Sequence, residues 1–172
     1  MLKERLCHYY EDELPKNKAL FEKLSHGQNP EILLITCSDS RVAPNLLLNA
    51  KAGEIFIIRN PGNIVMPYDQ ANNTYGSECV MISFALENLP IKEVIVLGHE
   101  DCGGIAAEKT GHLKWRDDRS SQENIRKQLG HIQTYPAFKK KNPKTYGLYF
   151  EMSSGNLLLM DDKGFFSKPK LD

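Results

Sequence analysis

An α/β fold, a mostly parallel sheet flanked by helices, is predicted by three features of this 172-residue sequence. Three short apolar runs, at 31–36, 54–58 and 93–97, are rich in β-branched residues and stop at turn residues, the pattern of strands buried on both faces. A helical stretch at about 75–88 separates the second run from the third. Strands joined by crossovers of this kind pair in parallel.

Taken in order, residues 1–26 carry Leu20, Phe21 and Leu24 at helical spacing and are interrupted once around Pro15, which predicts two short helices packed outside the sheet. The first strand lies between Pro30 and a Ser/Asp cluster. Segments 60–74 and 103–119 read as long irregular loops; both directly follow strands, and loops of such length in a compact domain are often functional. Ile125, Leu129 and Ile132 predict a helix at 121–134, and Lys139, Lys140 and Lys141 a solvated helix end or loop. Segments 146–152 and 156–160 read as a hairpin through Ser153, Ser154 and Gly155. With no repeat, low-complexity tract or internal boundary, 1–172 is expected to be a single domain with 1–26 as a helical arm.

Lys plus Arg and Asp plus Glu both total 22, so no one-signed field favours nucleic acid or an anionic membrane. A small, weakly charged ligand fits better. Early charges in place of a secretory h-region, and no apolar run near the ~20 residues of a membrane span, make a cytoplasmic protein the expectation. Cys7, Cys37, Cys79 and Cys102 are too few and scattered for a disulfide scaffold, so each is a buried filler or a metal or catalytic group.

Two segments concentrate chemistry. Cys37-Ser-Asp39-Ser-Arg41 begins where the first strand stops, and His99-Glu-Asp-Cys102-Gly-Gly begins where the third stops. In open parallel sheets, sites form beyond the carboxyl ends of strands where the order reverses, so a 2-1-3 arrangement would bring both segments together. A Cys₂His set favours Zn²⁺, and three protein ligands leave a fourth position open, the mark of catalysis. Arg41 can hold Asp39 ionised and oriented as a bidentate partner. Either segment alone is ordinary: a strand-end cysteine is commonly a small buried hydrophobe, and His-x-x-Cys recurs by chance.

The segments Gln28-Asn-Pro-Glu-Ile-Leu-Leu-Ile-Thr-Cys37-Ser-Asp-Ser-Arg-Val, Gly53-Glu-Ile-Phe-Ile-Ile-Arg-Asn60 with Gly62-Asn63, and Gly98-His99-Glu-Asp-Cys-Gly-Gly104 together resemble the β-class carbonic anhydrases in order and spacing. Weaker echoes follow in Asn124-Ile-x-x-Gln128-Leu and Tyr146-Gly-Leu-Tyr149. The resemblance implies strand order 2-1-3-4 with a C-terminal antiparallel strand, and N-terminal helices packing on a dimer partner or in a higher homo-oligomer. It implies zinc-dependent, reversible hydration of carbon dioxide to bicarbonate by attack of zinc-bound hydroxide, and the charge balance above argues against a nucleic-acid or membrane partner. A hydrolase of carbonyl sulfide or carbon disulfide, or a silent zinc-binding homologue, is the alternative.

Carried onto this chain, the metal ligands are Cys37, His99 and Cys102, and Asp39 with Arg41 is the catalytic dyad; Asp39 is a possible fourth ligand in a closed state. Gln28, Phe56, Tyr75 and Gly103 are implied in substrate binding, although helix end, core, helix start and turn are equally ordinary uses of them. The connector from Gly104 to Asn124 is shorter than in many members, Ser83 stands where glutamate is common, and Tyr146-Gly-Leu148 stands where His-Gly-Trp is frequent. None of these is a zinc ligand.

Overall fold

The computed structural model describes residues 1–69, 76–109 and 120–169, without the side chains of 107–109. A helical arm comes first: α1 (Leu2–His8), a wider π-helical turn (Tyr9–Glu13) and α2 (Leu14–Leu24). The expected break at Pro15 is therefore a change of winding. Proline lacks an N–H and is tolerated in a first helical turn, so the chain enters α2 at Pro15 without stopping.

The sheet follows, with β1 (Ile32–Cys37), β2 (Ile55–Asn60), β3 (Glu93–His99), β4 (Lys144–Glu151), β5 (Asn156–Met160) and β6 (Phe166–Ser167) in the order β2-β1-β3-β4-β5-β6. The first four neighbours pair in parallel, and β5 and β6 add antiparallel, so the expected order 2-1-3-4 with an antiparallel strand is present. β6 extends it. The hairpin turns at Gly155, whose φ of 72° is the left-handed geometry glycine adopts without strain, and its N–H bonds Glu151 O at 2.8 Å.

One face of the sheet is covered by α4 (Ser77–Asn88), α6 (Ser121–Ile132) and α7 (Pro136–Lys141). Leu33, Ile35, Ile58 and Val94 pack there against Ile82, Leu86, Ile132 and Tyr135. Helix α6 sits close because a Cβ on Gly98 would come within 2.8 Å of the Ile125 side chain and one on Gly147 within 3.0 Å. Ser120 caps α6, its hydroxyl accepting from the Glu123 N–H.

The opposite face gathers Leu34, Ile95 and Leu97 with half-buried Ile32, Ile55, Ile57, Tyr146 and Phe150. Outside the strands, the described members of that cluster are Val42, Met152, and Leu47 and Leu48 at and just after the short α3 (Pro44–Leu47).

A further difference from expectation lies after β3. Gly103–Lys109 forms α5, where the sequence reads as irregular. Its two leading glycines look like breakers, but they occupy the first turn, and Ala, Glu and Lys continue the helix. Lys139, Lys140 and Lys141 form the last turn of α7, where cations complement the carbonyl end.

Candidate metal centre

Adjacent parallel strands with aligned registers end at the same level, and that alignment makes the centre. Cys37 is the last residue of β1 and His99 the last of β3. Asp101, at φ 51°, turns the chain so that Cys102 comes back beside them at the head of α5. The three donor atoms lie within 4.8 Å of one another, with the sulfurs 3.7 Å apart. All three residues are buried, His99 completely, and Ile105 packs against both cysteines.

The imidazole is oriented for ligation. Its Nδ1 donates to the Glu100 carbonyl at 2.8 Å, which leaves the Nε2 lone pair directed inward. Among the described residues, the buried side-chain polar atoms left without a hydrogen-bond partner are that Nε2 and the two amide atoms of Asn63. An orphaned imidazole nitrogen beside two sulfurs is the arrangement a soft divalent cation satisfies.

Charge in the site is distributed accordingly. The Cys102 thiol, hydrogen-bonding to Cys37, holds the Cys37 sulfur well below the ordinary thiol range; burial opposes this, and His99 and the Gly62 N–H, at 3.2 Å, add to it. Cys102 is driven upward by the same bond and by burial. Burial pulls His99 down, but the Cys37 sulfur, the Glu100 carbonyl and the Asp39 charge together carry it upward.

Asp39 stands over this cluster, one carboxylate oxygen 3.9 Å from His99 Nε2. Arg41 grips it with two parallel bonds, Nε to Oδ1 at 3.0 Å and Nη2 to Oδ2 at 2.8 Å, and its backbone N–H adds a third at 2.9 Å. Those Arg41 bonds keep the carboxyl far below the usual carboxylate range. Arg41 also reaches the Asp101 carbonyl at 3.1 Å, tying the loop after β1 to the loop after β3.

The remaining sequence-derived residues are not all gathered here. Gln28 is exposed in the irregular stretch before β1, and five strand residues at roughly 3.3 Å each precede Cys37. Within one chain, therefore, Gln28 stands at the far edge of the sheet from the centre. Phe56 lies four residues before Asn60, which pairs with Cys37, and its ring is 6.1 Å from that of Phe84. Gly103 is exposed beside Cys102, and a Cβ there would meet nothing within 4 Å. Tyr75 lies outside the described residues.

Three supporting groups lie within the quoted segments, but nothing in those motifs assigns them a role. Arg59 donates to the carbonyls of Cys37, Asp39 and Val42 at 3.0, 2.8 and 3.0 Å, fixing the whole dyad loop. Gly104 is the sterically demanded glycine, since a Cβ there would lie 2.7 Å from the Gly62 nitrogen. Asn124 and Gln128, on α6, are fully buried polar residues bonded to the loop that carries Gly62.

Comparison with known proteins points to one family. A carbonic anhydrase family model matches residues 32–114. A carbonic anhydrase of Synechocystis sp. is 34% identical over 92% of this chain and 69% of its own length, and one of Synechococcus elongatus is 31% identical over 96% and 75%. Among solved structures, the β-carbonic anhydrase CcaA superposes with a TM-score of 0.85 at 32% identity, covering 99% of this chain and 91% of that one. CafA of Aspergillus fumigatus gives 0.73 at 25% identity, over 93% and 89%. By sequence and fold together, the chain belongs to the β-class carbonic anhydrase family of enzymes.

Proposed function

We propose that this chain hydrates carbon dioxide reversibly to bicarbonate, with zinc held by Cys37, His99 and Cys102. The observation that carries the reading is the convergence of two buried sulfurs and an orphaned imidazole nitrogen with a carboxylate poised 3.9 Å from that nitrogen. Zinc, when bound there, supplies Lewis acidity that brings the ionisation of water toward neutral pH.

The chain's own residues perform the rest. Asp39, kept ionised by Arg41, accepts a hydrogen bond from the attacking water and aims its lone pair at the substrate carbon. Because two of the three donors are thiolates, which weaken the metal's pull on water, this acceptor carries more of the activation. Both Asp39 oxygens are engaged by Arg41, which favours a carboxylate held away from the fourth ligand position. Water contributes its oxygen to the carbon, and one proton leaves to buffer as bicarbonate departs. The backbone at Gly103, open beside Cys102, offers room for the substrate oxygen.

A homodimer or larger homo-oligomer belongs to the same reading. No residue of α1, the π turn or α2 is buried, and Leu2, Leu6, Tyr10 and Phe21 are exposed, so apart from Leu24, which lies against Gly53, the arm leaves its larger apolar side chains uncovered by its own chain. A second copy would cover it, and would be the means by which Gln28 and Phe56 serve a substrate pocket. A cytoplasmic location suits two free sulfurs 3.7 Å apart that must stay reduced to bind metal. No described helix is long and apolar enough to cross a membrane.

Stopped-flow hydration of carbon dioxide by purified protein of known metal content tests the reading. Turnover is expected. Its absence, with hydrolysis of carbonyl sulfide or carbon disulfide in its place, would transfer the same centre to the alternative substrates.

A further inference from the structure

The loop after β2 touches the metal centre through the Gly62 N–H, 3.2 Å from Cys37 Sγ. Two side chains of α6 brace that loop. Asn124 Nδ2 donates to the Gly62 carbonyl at 2.8 Å, and Gln128 Oε1 accepts from the Val65 N–H at 2.8 Å. The two amides are joined, Gln128 Nε2 donating to Asn124 Oδ1 at 2.7 Å. Positions four apart share a helix face, so one rigid helix presents both braces together. Asn60 closes the loop from within, bonding the Ile64 N–H and carbonyl at 2.6 and 2.9 Å, and Gly104 lies so close that a Cβ there would be 2.7 Å from the Gly62 nitrogen.

Asn124 is 0% and Gln128 2% exposed. Two buried amides would be costly without partners, and an apolar pair could fill the space without needing any. Here each is bonded to a segment whose backbone N–H reaches the Cys37 sulfur. We infer that Asn124 and Gln128 are positioning residues for Cys37, holding Gly62 so that its N–H donates to the sulfur, fixes its position and tempers its donation to the metal. This rests on the metal reading above, and neighbours of this kind alter metal affinity by about 10–100-fold.

The test combines amide exchange of the metal-free chain with Co²⁺ binding by the full chain. In Asn124→Ala, the Gly62 amide should exchange at least about tenfold faster, Co²⁺ should dissociate about 10–100-fold more readily, and the thiolate-to-cobalt charge-transfer band should move to lower energy. Leu129→Ala, which removes a buried side chain of the same helix that clusters with Ile125 and with Val96 of β3, should lower thermal stability and leave all three readouts unchanged. Should Asn124→Ala not fold, Gln128→Glu keeps the acceptor for Val65 while losing the donor to Asn124, and a smaller shift in the same direction is expected. Wild-type exchange, affinity and band in the Asn124 or Gln128 variant, or equal changes in Leu129→Ala, would overturn the positioning role alone. A wild-type chain that takes up no Co²⁺ would overturn the metal reading and this inference with it.

Discussion

Asp39 Oδ2 lies 3.9 Å from His99 Nε2 while Arg41 holds the same oxygen at 2.8 Å, so one carboxylate is shared between the metal centre and a fixed cation. Asp39→Asn keeps the shape and loses the charge, and hydration should fall by about 10²-fold or more, the scale of a positioned proton-handling group. Arg41→Ala should also retain metal but lose activity sharply, because the freed carboxylate can swing onto the fourth position. Stopped-flow rates across pH, with metal counted in each variant, check both; wild-type turnover in either would remove the dyad from the mechanism.

Two adjacent glycines should respond oppositely to alanine. Gly104→Ala places a methyl 2.7 Å from the Gly62 nitrogen and should destabilise the protein by about 1–3 kcal/mol, the range for overpacking. Gly103→Ala meets nothing, so its folding should match wild type while substrate approach suffers. Chemical denaturation paired with hydration rates separates them. Equal stabilities would refute the packing argument.

Alkaline pH should weaken the fold through Tyr135 and Cys79. Burial raises both above their ordinary values, and the Tyr135 hydroxyl donates to the Met66 carbonyl at 3.2 Å. The native state then keeps protons that the unfolded chain releases, so this stability is intact below the unfolded values, about 8.5 for the thiol and 10 for the phenol, and is lost as pH climbs beyond them. Tyr135→Phe should flatten the upper part of that decline in denaturation midpoints measured against pH. An unchanged slope would contradict the assignment.

The arm predicts assembly. Sedimentation should show a homodimer at least, and deletion of residues 1–24 should cost both assembly and activity. A fully active monomer at assay concentration would refute it.

Much of this was legible in the sequence because it is local. Strand runs ending near Cys37 and His99 announce both the parallel sheet and the candidate ligands, since a register that pairs Ile32 with Glu93 brings Cys37 and His99 within one residue of the same level. Asn124 and Gln128 stood out in the sequence only as a weak family echo and were not legible as supports, because the groups they bond, on the loop at 62–65, lie some sixty positions earlier. Arg59 escaped for a similar reason, its three acceptors lying on another strand's loop. Gln28 was tied to the centre by resemblance alone, and a strand's length stands between them.

Zinc content and hydration rate measured together on wild type, Cys102→Ser and Cys79→Ser test the central claim most directly. Wild type and Cys79→Ser should each carry one zinc per chain and turn over carbon dioxide, while Cys102→Ser should release metal readily and lose activity. Full activity in Cys102→Ser, or a wild-type protein that hydrates carbon dioxide without bound metal, would contradict the account.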